Sequence, residues 1–235
     1  MEREQIRVIP MKDELLTNKK VNDLVYGFYQ SKSKLTNDRI RYVLKKDCTL
    51  KAMEAFYLEN SQAEIPLGKK TFAQTTKLLI QSGLLEQTKI NNRVAYIIPD
   101  QKERFVTIKL GTLEYLVATA TVGVIKTYSY LKWRYSYKQS IDGSDYLFSY
   151  AEILNMLDYK DIDKKETVRK AKHILDCLIN NKLITIEEVI IPIQRKGNLC
   201  TRKFALKIVN EDYQRNLNKK TKTDDINIII PSDKF

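Results

Sequence analysis

Lys164-Lys165-Glu166-Thr167-Val168-Arg169-Lys170-Ala171-Lys172-His173-Ile174-Leu175-Asp176-Cys177-Leu178-Ile179-Asn180-Asn181-Lys182-Leu183-Ile184 reads as a basic amphipathic helix that runs straight into a strand. Val168, Ala171, Ile174, Leu175, Leu178 and Ile179 recur at three- and four-residue steps and predict a buried face. On the opposite side Lys165, Arg169 and Lys172, at i, i+4 and i+7, form one cationic stripe, extended at its start by Lys164. Asp163 and Glu166 have the spacing of a capping box, which predicts a helix over 163–180. Alternating residues over 186–194 and 199–209 then predict a hairpin that turns at Arg195-Lys196-Gly197-Asn198. Glycine and asparagine suit the positive φ angles of tight turns, and the two cations at the tip, with Arg202 and Lys203 on the return strand, would face phosphate. The plainer reading is a solvated helix face beside a surface hairpin whose lysines guard its edge against aggregation.

The same order occurs earlier in the chain. Lys69-Lys70-Thr71-Phe72 opens a helix that ends at Gly83, a residue suited to the left-handed conformation that terminates helices. Phe72, Leu79 and Ile80 fall on its core side, with Lys69, Lys70, Gln74 and Lys77 outward. A hairpin over 84–98 follows, turning at Asn91-Asn92 with Lys89 and Arg93 near its tip. A basic helix followed by such a hairpin is the C-terminal half of a winged helix-turn-helix, in which the helix enters a DNA groove and the hairpin meets the backbone. Two copies predict an α+β chain, mainly helical, made of two tandem winged helix-turn-helix domains. An architectural or dimerising role is the alternative for the first.

The expected boundaries are an N-terminal domain over 1–99, a linker over 100–103, a C-terminal domain over 104–210 and a flexible tail over 211–235. Pro99-Asp100-Gln101-Lys102-Glu103 marks the linker. Within the first domain, Val21, Leu24, Val25, Phe28 and Tyr29 predict a helix, Thr36 or Asn37 caps a second over 39–46, and Thr49 caps a third over 50–58. Pro66-Leu67-Gly68 breaks the chain before the basic helix. In the second domain, Leu113, Leu116, Val117, Ala120, Val124, Tyr128, Leu131 and Tyr135 predict one long helix over 110–137. A loop at Asp142-Gly143-Ser144 ends it, and Ser149 caps a short helix over 150–157.

With 235 residues, 43% of them hydrophobic, the chain has material for two cores. A formal net charge of +12 points to polyanionic partners, nucleic acid first, against the bland reading of a solvated basic surface. Cys48, Cys177 and Cys200 are too few and too scattered for a disulfide framework or a zinc site and are expected to be buried free thiols. Met1 to Gln5 has acidic residues and no apolar segment, so no secretory signal is expected. The apolar stretch from Leu110 to Ile125 falls short of the about 20 residues that span a bilayer. A cytoplasmic protein without a membrane segment is the expectation.

Catalysis, metals and cofactors are not expected. The single histidine, His173, is placed near the buried face of its helix, in a structural or phosphate-contacting role, and one histidine cannot supply a nickase pair. Gly68-Lys69-Lys70-Thr71 misses the phosphate-binding loop pattern, with Ala63 where its first glycine belongs and Lys70 where Ser or Thr belongs. Asp158, Asp161 and Asp163 are read as the loop that starts a helix. Tyr128, Tyr130, Trp133, Tyr135 and Tyr137, interleaved with Lys126, Lys132, Arg134 and Lys138, could stack on single-stranded bases, but an alternation between core and protein interface is the preferred reading. Ile226-Asn227-Ile228-Ile229-Ile230-Pro231 in the tail is β-prone and could add a strand to a partner or to the protein's own sheet, a disordered end being the alternative.

The order of a basic module ending in Gly83-Leu84-Leu85, a short linker, and a second module ending in Asn181-Lys182-Leu183-Ile184 with a long wing resembles the tandem winged-helix initiators of plasmid and mobile-element replication. The resemblance spans about Thr17 to Val209 and lies in architecture, without a signature string. It implies binding to repeated origin sites on double-stranded DNA, with a homodimer that represses its own gene and a monomer that starts replication; separately, the tail is a candidate hook for replication or other mobile-element proteins. It also implies that Lys69, Lys70, Gln74 and Lys77 read for the first head and Lys165, Arg169 and Lys172 for the second. A transcriptional repressor is the alternative, followed by an accessory protein of a relaxosome or partition complex.

Overall fold

The computed structural model describes residues 6–11, 23–61, 68–100, 105–192 and 200–209. The linker residues 101–103, the tip over 193–199 with Arg195 and Lys196, Pro66-Leu67 and the tail over 211–235 therefore lie outside the described residues. The architecture is α+β: about half helical, with seven α-helices and three antiparallel sheets among the described residues.

Strand β1 (Ile6–Pro10) comes first, then helix α1 (Asp23–Lys32), which buries Val25, Tyr26, Phe28 and Tyr29. The helix expected over 39–46 is not formed. In its place β2 (Lys34–Leu35) and β3 (Arg41–Leu44) make a small hairpin, followed by a 3-10 turn over Lys45–Asp47. The reason is local and tertiary together. The Thr36 hydroxyl, free to cap a helix, accepts instead from the Ile40 amide at 3.0 Å, and Arg39 sits at φ +59°, which no α-helix tolerates. Val43 then faces the core as β3 pairs with a strand far along the chain, Tyr42 opposite Ile97 and Leu44 opposite Ala95.

Helix α2 (Leu50–Ser61) starts at Thr49, whose hydroxyl accepts from the Ala52 amide at 3.1 Å. Helix α3 (Lys69–Gln81) buries Phe72, Thr75 and Leu79 and ends at Gly83 with φ +70°. Tyr29 of α1 fixes it from the core side: its hydroxyl shares a 3.0 Å hydrogen bond with that of Thr76, and its ring stacks on Phe72. The hairpin of β4 (Glu86–Ile90) and β5 (Arg93–Ile97) follows, with Asn91 and Asn92 both at positive φ, as a tight turn of matching twist requires.

Strand β6 (Phe105–Lys109) opens the second half and pairs with β1. The helix expected over 110–137 is two. Helix α4 (Leu110–Thr119) stops at Ala120, whose backbone is extended at φ −133° and ψ 157°, and Thr121 caps a new helix, α5 (Val122–Asp142). The apolar spacing continues across the break because Ala120 and Thr121 are neutral to it, whereas the Thr121 hydroxyl, accepting from Val124, satisfies the new helix end. Gly143 at φ +67° ends α5.

Strand β7 (Tyr146–Phe148), helix α6 (Tyr150–Met156), helix α7 (Lys165–Asn180) and strands β8 (Ile184–Pro192) and β9 (Cys200–Ile208) complete the chain. Ser149 caps α6 through the Glu152 amide. The capping box at Asp163 and Glu166 is not used: α7 is entered through Lys164, with no side-chain cap. The Lys164 amide is already held by the Asp161 carbonyl and its ammonium by the Asp161 carboxylate at 2.9 Å, which carries the turn one residue further.

The two halves repeat one topology. In the first, α1, β2, β3, α2, α3, β4 and β5 follow one another with strand order β2-β3-β5-β4; in the second, α5, β7, α6, α7, β8 and β9 do so with strand order β7-β9-β8, so the halves match except for the two-residue edge strand β2, which the second half lacks among the described residues. One continuous apolar core, including Phe28, Met53, Leu79, Leu116, Tyr128, Ile153 and Leu178, underlies both. Cys48 and Cys177 are buried free thiols within it, and burial pushes the Cys48 thiol up to about 12.

Candidate nucleic-acid interface

Helix α7 turns Ala171, Ile174, Leu175, Cys177 and Leu178 inward, which leaves Lys165, Arg169 and Lys172 exposed along one line at its N-terminal end. Lys164 is exposed just before it, in its ion pair with Asp161. Lys170 is drawn off the stripe and sits 5.6 Å from the centre of the Tyr159 ring. Asp176 is exposed at the far end of the same face, so the positive part of the helix is its first two turns. His173 is exposed as well, not near the buried face, because its position falls one residue outside the Ile174–Leu178 row and next to Arg169 on the outward side.

Helix α3 presents the same arrangement. Lys69, Lys70 and Lys77 are exposed and Gln74 is half-buried, with Phe72, Thr75 and Leu79 beneath. The two strands after it carry Lys89 and Arg93, both exposed, on either side of the Asn91-Asn92 turn. The structure thus brings every described cation of the first set to one helix and one hairpin tip.

The second hairpin differs from expectation in its charge. Arg202 is exposed on β9 but bonds Glu188 of β8 at 2.5 Å, and Glu187 is exposed beside it. Lys203 is half-buried. The middle of this ribbon is therefore zwitterionic, a feature that only the strand register reveals.

Behind α7 the aromatic stretch of α5 proves to be mostly framework. Lys126 and Tyr128 are buried, and Tyr130 and Tyr146 both donate from their hydroxyls to Glu152 of α6, Tyr130 at 2.8 Å. Burial and the Glu152 carboxylate push the Tyr130 hydroxyl up to about 12 and the Tyr146 hydroxyl upward. Arg134 reaches the Tyr146 oxygen at 3.3 Å and lies over its ring. Tyr137, 54% exposed, is left at the surface.

Among the described residues no group of three or more His, Cys, Asp or Glu side chains could hold a metal ion, and no helix is long and apolar enough to cross a membrane. No protein-family model matches this chain, and no curated protein matches it significantly.

Proposed function

We propose that this chain is a sequence-specific double-stranded DNA-binding protein built of two winged helix-turn-helix units, and that it initiates replication of a plasmid or other mobile element at repeated origin sites. The observation that carries the reading is the repeated topology: twice, a helix with an exposed, cation-bearing face leads directly into an antiparallel hairpin whose second strand pairs on its other side with an earlier strand. The strand β3, absent from the sequence-based expectation, supports it, since β3-β5-β4 in the first half then matches β7-β9-β8 in the second, with β2 added at the edge.

In this reading α3 and α7 lie in successive grooves. Lysine and arginine near the start of a recognition helix reach base edges, and arginine to guanine is the commonest specific contact. Lys69, Lys70 and Lys77 take that part for the first head, Lys165, Arg169 and Lys172 for the second, while Lys89 and Arg93 meet phosphate. The net charge of +12 supplies attraction without sequence preference. The choice of an initiator over a repressor rests on the resemblance of the tandem arrangement to replication initiators.

Capture of random duplex fragments from the source replicon by the full chain, sequenced after washing at moderate salt, tests both parts. A cluster of direct repeats supports the initiator. One inverted repeat beside a promoter makes the protein a repressor, because a symmetric dimer mirrors its own axis. Absence of any enrichment overturns sequence-specific binding.

A further inference from the structure

Chain continuity is not what holds the two halves in place. Strand β1, from the N-terminal side, pairs along its whole length with β6 at the start of the second half, Ile6 opposite Lys109 through Pro10 opposite Phe105. Helix α1 packs on β1, α5 packs on β6, and α2 of the first half packs on α4 of the second. Helix α4 is in turn tied to the far end of α7. The Tyr115 hydroxyl donates to Asn181 Oδ1 at 2.6 Å, both residues buried, and Asn181 donates from Nδ2 to the Cys177 carbonyl at 2.8 Å. Asn181 is also the C-cap of α7, directly before the left-handed Lys182. One short helix therefore touches the first half through α2 and holds the second half at the C-terminus of its outward cationic helix.

We infer that the β1–β6 ribbon and α4, latched by Tyr115 and Asn181, are a ruler that sets α3 and α7 at one separation and one rotation, so that the ligand is a duplex with two unlike half-sites in a single helical phase. The inference rests on the reading of α3 and α7 as the two heads. A flexible tether would let the second head find its half-site over a range of spacings, since effective concentration falls only slowly with distance. A rigid splice forbids this. Each inserted base pair turns the second half-site by about 35° and carries it about 3.4 Å away. Tyr115 and Asn181 are positioning residues here and touch no DNA.

The probe is a duplex recovered in the capture experiment, resynthesised with about 2, 5 and 10 base pairs inserted between its two protected segments and titrated with the full chain. An insertion of about 5 base pairs is expected to lower affinity roughly 100-fold, the benefit of simultaneous engagement being lost. Inserting about 10 restores the face but not the distance and does not rescue binding. Tyr115→Phe, which removes one hydroxyl, is expected to reduce the loss on half-turn insertion to about 5-fold while affinity for each isolated half-site stays within about 2-fold. Asn181→Ser, read by the same profile, serves if Tyr115→Phe does not fold. A flat spacing profile for the native chain would overturn the ruler, and a Tyr115→Phe profile as steep as the native one would overturn the latch. Half-site duplexes that bind no better than shuffled ones would instead bring down the DNA-reading assignment, and the ruler with it.

Discussion

Gly83 and Lys182 hold equivalent positions in the two halves: each is the left-handed residue that ends the outward cationic helix, at φ +70° and +54°. The hydrogen bonds around them correspond one to one. The Gly83 amide donates to Ile80 and that of Leu84 to Leu79, at 3.1 and 2.9 Å; the Lys182 amide donates to Ile179 and that of Leu183 to Leu178, at 2.8 and 3.0 Å. Both are Schellman closures, and both deliver a buried leucine as the first residue after the helix. A Cβ added at Gly83 would meet nothing within 4 Å, so Gly83→Ala carries a backbone cost alone, about 1–2 kcal/mol of destabilisation. Lys182→Gly removes the same strain and is expected to raise stability by up to about 1 kcal/mol, less what glycine adds to the unfolded chain. Urea midpoints for the two variants should move in opposite directions; movement in the same direction would contradict the correspondence.

Lys164 offers a change in which stability and binding part company. It stands at the N-cap of α7 without a side-chain cap, and a cation there opposes the helix dipole. Lys164→Ser supplies an oxygen for the open amides and is expected to stabilise the fold by about 1 kcal/mol, a gain trimmed slightly by loss of the exposed Asp161 pair. Because it also removes one cation beside the proposed reading face, duplex affinity should fall and the salt slope should shrink by about 1. A rise in both stability and affinity would remove Lys164 from the interface.

Lys132 is expected to give the fold a pH dependence whose sign follows from its burial. Its ammonium donates to the Thr107 carbonyl of β6 at 2.5 Å, and burial, with Lys109 nearby, lowers its pKa to about 8 from 10.5. Between those values the unfolded chain binds the extra proton, so this residue makes stability rise as pH climbs from about 8 to about 10.5, and adds no slope below. The increment cannot exceed about 1.4 kcal/mol per pH unit and is smaller for a half-buried group. Subtracting the unfolding free energy of Lys132→Met from that of the native chain at several pH values isolates it. A difference independent of pH across that window would show that Lys132 keeps its ordinary affinity for protons.

What could be read from the chain beforehand follows from the range of the interactions involved. Thr49, Ser149, Gly83 and the Asn91-Asn92 turn act within four residues, and each behaves as its side chain dictates. The outward cations of α3 and α7 were legible for the same reason: apolar periodicity fixes one face and leaves the other. Strand β3 was not legible, because its local partner β2 is only two residues long, its longer partner β5 lies more than fifty residues on, and Arg39 takes a conformation that arginine rarely adopts. The split between α4 and α5 hides behind residues that fit either a helix or a break, and the pairing of β1 with β6 leaves no trace in either strand alone. The neutralisation of Arg202 by Glu188 depends on a register that sequence spacing does not contain.

Arg169 is the residue on which the proposed reading of DNA can be separated from plain attraction to it. It lies mid-stripe on the exposed face of α7, one turn from both Lys165 and Lys172, where a recognition helix presents side chains to base edges. Arg169→Ala is expected to cost about 1–3 kcal/mol on the recovered duplex and much less on a shuffled duplex of equal length, which relaxes preference at one base position. Lys89→Ala, beside the hairpin turn, should weaken both duplexes alike and lower the salt slope by about 1, since a phosphate contact carries no sequence information. Competition titrations at two salt concentrations read both quantities. Equal losses on the two duplexes for Arg169→Ala would make Arg169 a phosphate contact and move base reading to another side chain, with Lys165 and Lys172 on the same stripe the next to vary.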